Sequence, residues 1–187
     1  GHEVTIVEKV PNFRAHYGYL IDFWGPGYEV ANKMGLLPAL QAKHYPIPKM
    51  LYVNEIGKEV GNLDIVKLRK VMANREYTFL RGDLEDVIYD AVQSRVSIYP
   101  GMTIEQLSQD DQKVQVTLSD ATQHEFDLVV GADGIHSNVR RILFGDEKQF
   151  TRYLGYHIAA FIQPNTLNIH NFMSYSKPGK QAAVFPI

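Results

Sequence analysis

The chain alternates between short β-branched runs and stretches where apolar residues return every three or four positions. Val4-Thr5-Ile6-Val7 is the first such run and predicts a strand with Glu8 at its C-terminal end. From Pro11 to Trp24 aromatic residues occur without a period, which predicts an irregular loop. Gly25-Pro26-Gly27 then opens a helix with Pro near its first position. Val30, Ala31, Met34 and Leu37 supply its buried stripe, and Gly35 marks its end. Between Tyr45 and Leu80 the pattern is β-like. Met50-Leu51-Tyr52-Val53 and Lys58-Glu59-Val60 flank a turn at Asn54-Glu55-Ile56-Gly57, which reads as a hairpin. The clearest helix follows: Asp83 is its N-cap, and Leu84, Val87, Ile88, Ala91 and Val92 fall at helical spacing.

The second half begins with strands. Val96 to Tyr99 with Thr103 to Leu107, then Val114 to Leu118, then Phe126 to Val130 form a small β-meander, with turn signals at Asp110-Asp111 and Ser119-Asp120. After a helix starting near Ser137, the last forty residues read as antiparallel strands at 153–161, 172–175 and 182–187. Lys177-Pro178-Gly179-Lys180 is the hairpin turn between the last two.

The chemistry concentrates where the meander ends. Leu128-Val129-Val130 is a buried-strand run, Gly131-Ala132-Asp133-Gly134 is a turn, and Ser137 is an N-cap ahead of the helical face Val139, Ile142 and Leu143. A strand, glycine turn and helix N-terminus aim backbone N–H groups at one spot where an anion can sit. Asp133 in that turn can accept hydrogen bonds from a bound hydroxyl or from backbone donors. An ordinary turn that binds nothing is the alternative. Glu8 has a comparable pair of readings. A carboxylate at the end of a second strand can accept from both ribose hydroxyls of a dinucleotide, or it can simply be solvated.

Composition acts mainly by exclusion. The 187 residues are 45% hydrophobic and 21% charged with a formal net charge of −2, and no basic cluster is visible, which argues against a nucleic-acid partner. No apolar run is long enough to span a bilayer and no signal-peptide pattern is present, so a cytoplasmic location is expected. The absence of cysteine excludes disulfides and thiolate metal sites. The seven His are dispersed without metal-ligand spacing, so no metal is expected.

Positions 131 to 140 resemble the second fingerprint of the flavin-dependent aromatic hydroxylases, the para-hydroxybenzoate hydroxylase-like family. That pattern is an apolar strand, Gly-Ala-Asp-Gly, two residues, Ser, two residues and Arg, and Arg140 completes it without a gap. Arg81-Gly82-Asp83-Leu84 is similar to the family's Arg-x-Asp-Leu, and residues 1–9 look like its second strand. Arg14 to Phe23 resembles its Arg-rich approach to the flavin. The resemblance implies a cofactor-binding set: Glu8 on the ribose, Arg14 and Arg81 on charge, Gly18 admitting the ring, and Gly131, Asp133, Gly134 and Arg140 in the fingerprint. It implies FAD as cofactor and NAD(P)H as co-substrate, with O2 supplying the oxygen placed on an organic, aromatic or polycyclic substrate. The cofactor carries that chemistry, so no amino-acid catalytic residue is expected.

The expected fold class is α/β. An incomplete Rossmann-like FAD-binding layer, residues 1–44 and 81–150, is interleaved with a mixed or antiparallel substrate β-sheet, residues 45–80 and 151–187. The family's first glycine fingerprint and its later Gly-Asp segment have no counterpart here, so the chain reads as the central fragment of a longer enzyme. By itself the fragment is expected to be inactive, with unpaired strand edges that favour a homodimer. Two other readings stay open: an FAD oxidoreductase of another reaction type, and a chain that has lost catalysis and serves as a binding or structural module. The halogenase signature Trp-x-Trp-x-Ile-Pro is missing, since Trp24 is the only Trp.

Overall fold

The computed structural model describes residues 1–12 and 18–187. Arg14 lies outside the described residues. In chain order the elements are β1 (Thr5–Glu8), β2 (Leu20–Trp24), α1 (Pro26–Lys33), α2 (Leu37–Ala42), β3 (Lys49–Val53), β4 (Glu59–Asp64), α3 (Ile65–Val71) and β5 (Glu76–Leu80). They continue with α4 (Arg81–Val92), β6 (Ser97–Pro100), β7 (Ile104–Gln109), β8 (Val114–Leu118), β9 (Gln123–Phe126), α5 (Asn138–Phe144), β10 (Phe172–Lys177) and β11 (Lys180–Val184). The fold is mixed α/β, with several small sheets. The chain divides into two compact units, Gly1–Ala15 with Val92–Tyr156, and His16–Ala91 with His157–Ile187.

In the first unit β1 pairs in parallel with β6, so that Glu8 stands opposite Pro100 at the strand ends. The segment at 96–99 therefore pairs with the first strand rather than with 103–107. The meander forms as the sequence predicts, in the order β7-β8-β9, with Val116 and Leu118 buried on its inner face. Its last strand is Gln123–Phe126, earlier in the chain than the expected Phe126 to Val130. Pairing ends where Val114 meets Phe126, and residues 128–130 are not a strand. Leu128 and Val130 are 75% and 74% exposed. An apolar run becomes a strand only where a neighbour supplies the ladder, and among the described residues none runs beside it. The same reason applies to 153–161, which is also not a strand.

The second unit holds the core. Residues 20–24, expected as loop, pair antiparallel with β5, placing Asp22 opposite Thr78 and Phe23 opposite Tyr77. Alternation sorts the ladder into two faces. Ile21, Phe23, Tyr77 and Phe79 turn to an apolar cluster with Ala31, Leu36, Leu40 and Val87 from the helices. Phe79 is fully buried, its ring 5.4 Å from that of Phe23. The expected stripe on α1 is corrected here: Val30 and Met34 are exposed and only Ala31 is buried. Gly35, at φ 73°, follows the first helix and turns the chain, so that Leu36, the N-cap of a second helix, and Leu40 within it reach the core instead.

The other face of the β2–β5 ladder sets a polar group between Leu20 and Leu80 at one end and Trp24 at the other. Thr78 Oγ1 lies 2.8 Å from Glu76 Oε1 and 3.0 Å from Asp22 Oδ1, and Glu76 Oε2 pairs with Arg69 Nε at 3.0 Å. The Thr78 N–H donates to His44 Nδ1 at 2.9 Å. Arg69 comes from α3, a helix the β-like pattern of 45–80 concealed. Asp64 caps it by accepting from Lys67 N at 2.9 Å.

The hairpin around Asn54 to Gly57 forms as predicted, with the Asn54 side chain accepting from Ile56 N and Lys58 N. Its strands join β10 and β11 in one four-stranded sheet, order β11-β10-β3-β4. The β10–β3 pair is parallel, so this sheet is mixed.

Candidate functional site

In the first unit the glycine turn and α5 form a single hydrogen-bonded knot. Asp133 Oδ2 accepts from Asn138 N at 2.6 Å and from Val139 N at 2.9 Å, while Oδ1 accepts from the Ser137 hydroxyl. Ser137 is the N-cap, its Oγ accepting from Arg140 N at 3.0 Å. Among the donors at the helix N-terminus, the Asn138 and Val139 N–H groups are taken by the chain's own carboxylate. Partial burial disfavours the Asp133 charge, but the bonds from Ser137, Val139 and Asn138 outweigh it and hold the carboxyl below its ordinary value. Both glycines of the turn have a local reason. Gly134 sits at φ 79°, and a Cβ on Gly131 would stand 2.9 Å from Val139 Cγ1. Asn138 reaches back from α5 to donate to the Ile104 carbonyl on β7.

Arg140 closes the knot from the far side. Its Nη2 donates to the Ile135 carbonyl at 2.6 Å, its guanidinium lies over the Phe150 ring, and Glu147 is 3.8 Å away. Glu147 also meets His136 Nδ1 at 3.0 Å. Sequence reasoning passed over His136 and Glu147. They carry no motif signal, and only the fold after α5 brings them together.

Glu8 occupies the C-terminal end of a parallel strand pair, where its Oε1 accepts from Val10 N at 2.8 Å. A carboxylate offers about four lone-pair sites, so this one contact leaves acceptor capacity for a diol.

In the second unit Arg81 is the first residue of α4, not a residue outside its cap. Asp83 lies within the first turn and accepts from Leu80 N at 3.2 Å, so it caps from inside the helix. It also pairs with Lys43 at 3.1 Å, and that bond holds the Lys43 amine above its ordinary value. The Arg81 N–H donates to the Tyr19 carbonyl at 2.9 Å, and its Nη1 lies 3.0 Å from Glu85 Oε2 one turn along α4. Gly18, at φ 64°, passes directly over the Arg81 side chain. Glu85 was legible as an i,i+4 partner of Arg81, whereas the Gly18 contact was not.

Among the described residues no cluster of His, Cys, Asp or Glu could hold a metal ion. A family model described as an FAD binding domain matches residues 27–173. This chain belongs to the FAD-binding domain family. The matched span contains Arg81 and the whole of the 131–140 knot, while Glu8, Arg14 and Gly18 precede it. The chain is 38% identical over 176 residues to an uncharacterised protein of Mycobacterium tuberculosis, covering 94% of itself and 47% of that protein. It is 35% identical over 174 residues to the flavin-dependent monooxygenase eupH of Phoma sp, covering 88% of itself and 40% of the relative. It superposes on the crystal structure of the tetracycline destructase Tet(55) with a TM-score of 0.78 at 26% identity, covering 100% of itself and 46% of that chain. The chain thus spans about half the length of the curated relatives it matches.

Each unit, taken by itself, holds a residue whose chemistry suits one part of the family's cofactor. FAD presents a ribose diol, which a strand-end carboxylate such as Glu8 can accept from, and a pyrophosphate, which a guanidinium such as Arg81 can fork onto. Arg81 is 40% exposed on its side chain, so its donors are reachable from solvent. Asp133 and Arg140 make hydrogen bonds within the knot, and Arg140 Nε, though buried, has no hydrogen-bond partner among the described residues.

Proposed function

We propose that this chain is part of a flavin-dependent monooxygenase that uses NAD(P)H and O2 to hydroxylate an organic, aromatic or polycyclic substrate. The observation that carries the reading is the 131–140 knot: a gapless family fingerprint in which Asp133 and Ser137 make hydrogen bonds to the start of α5, Gly131 leaves no room for a Cβ and Gly134 adopts a positive φ. The family match supports FAD, and the likeness to a tetracycline destructase supports a polycyclic substrate. FAD, when bound, supplies the redox chemistry. The chain's own work is to bind and orient it: Glu8 holds the ribose, Arg81 and Arg14 answer the negative charge, and Gly131 with Gly134 shapes a backbone surface that Asp133 and Arg140 keep rigid. Residues 1–44 and 81–150 serve the cofactor, and residues 45–80 and 151–187 serve the substrate through the mixed sheet. This is a division by ligand rather than by contact. No amino-acid nucleophile is required.

The test is direct. The full-length protein should purify yellow, consume O2 with NAD(P)H, and place one atom of labelled O2 in the product of a phenolic polycyclic substrate. A protein that shows no flavin absorbance and takes up none from added FAD overturns the reading.

A further inference from the structure

The sequence assigned Gly18 to the cofactor, as a place where backbone could approach the ring. The geometry points to a different role. We infer that Gly18 is a positioning residue that acts through Arg81, its missing side chain being the space in which the guanidinium is held. A Cβ built on Gly18 would stand 2.9 Å from Arg81 Nε and 3.0 Å from Arg81 Cβ. The contact with Cβ, which is fixed to the start of α4, asks the backbone to give by a few tenths of an ångström and remains in Arg81→Ala. The closer contact, with Nε, lies on a flexible side chain and is relieved by moving the guanidinium.

The crossing itself is pinned. The Arg81 N–H donates to the Tyr19 carbonyl at 2.9 Å, and the next residues along, Leu20 and Leu80, pair in the β2–β5 ladder. Gly18 also adopts φ 64°, a conformation that glycine reaches without a Cβ penalty. On the other side Glu85 Oε2 lies 3.0 Å from Nη1. The guanidinium is therefore bounded at its Nε edge by the glycine backbone and at Nη1 by a carboxylate. Positioning of this kind has value because a planar fork recognises a phosphate or ring acceptor only in the right orientation. This inference rests on Arg81 being a cofactor contact, and the experiment separates the two.

FAD affinity of the full-length apoprotein is measured for Gly18→Ala, Arg81→Ala and the double variant, alongside the Arg81 Nε–H resonance of the ligand-free protein. That resonance is assigned by its loss in Arg81→Ala. Gly18→Ala should weaken FAD about tenfold when Arg81 is present and less than about twofold in the Arg81→Ala background, a coupling that only residues sharing a contact display. The Nε–H resonance should shift in Gly18→Ala without FAD. Gly18→Asn carries the same Cβ but tolerates positive φ better, so it repeats the test if the alanine variant folds poorly. Backbone strain alone would lower thermal midpoints equally in both backgrounds and leave FAD affinity uncoupled. An equal loss of FAD affinity with and without the Arg81 side chain, or an unmoved resonance, overturns the inference. If Arg81→Ala leaves FAD affinity unchanged while the resonance still shifts in Gly18→Ala, the cofactor reading of Arg81 fails and the positioning stands.

Discussion

Asp133 and Val139 are joined by a 2.9 Å hydrogen bond from the first turn of α5 to a carboxylate six residues earlier, which folds the fingerprint back on its own helix. Removing that carboxylate therefore loosens the loop before it touches any ligand. Asp133→Ala should cost about 0.5–2 kcal/mol, the range for lost helix caps. Because the folded carboxyl lies below its ordinary value of 3.8, its stabilisation is complete above that value and is lost as pH falls through the lower, folded one. Acid unfolding followed by circular dichroism should show the wild type gaining on the variant as pH rises through that window. A variant with an unchanged acid midpoint and unchanged flavin content would leave Asp133 without the role given to it.

Arg81→Ala should weaken FAD by roughly ten- to a hundredfold, the equivalent of one charged hydrogen-bonded contact of about 1.5–3 kcal/mol. The side chain is half-exposed, and its pair with Glu85 is worth only about 0.3–0.5 kcal/mol, so the apoprotein's thermal midpoint should barely move. A midpoint that collapses, or a superimposable FAD titration, contradicts the assignment.

His44 gives the second unit a pH dependence of its own. Burial, followed by the nearby Arg69 charge, pushes the ring below its ordinary value of 6.5, against a smaller pull from the Thr78 backbone and Glu76. The fold thus favours the neutral ring, while the unfolded chain binds the proton more readily. The stabilisation is full above 6.5 and is lost as pH falls from there through the folded value. Urea midpoints measured from pH 8 to pH 5 should decline more steeply in the wild type than in His44→Gln; parallel declines would exclude His44 as the source.

Phe79→Ala should cost about 3–5 kcal/mol, because Phe79 is fully buried at the centre of the apolar cluster and the helices packed on it cannot all close the gap. Equilibrium denaturation of the apoprotein reads this directly. A loss under about 1 kcal/mol would mean that this cluster is not the unit's main core.

What the sequence alone determined lies within short spans of chain. The hairpin at Asn54 to Gly57, the β7-β8-β9 meander and the capped start of α5 depend on residues a few positions apart, where glycine, Asx and Ser chemistry acts on the neighbouring backbone. The family fingerprint was legible for the same reason: Asp133, Ser137 and Val139 meet within one loop and one helical turn. Tertiary structure decided what depends on a distant partner. Leu20 to Trp24 is a strand because β5 lies beside it, although Asp22 and Thr78 are 56 residues apart in the chain. Leu128 to Val130 has strand-like residues and no ladder, so it is not one. The closeness of Gly18 to the Arg81 side chain, 63 residues on, exists only in the fold. Local conformational preference is written residue by residue, whereas a strand's partner, a buried face and a close approach of backbone to side chain exist only once the chain has closed on itself.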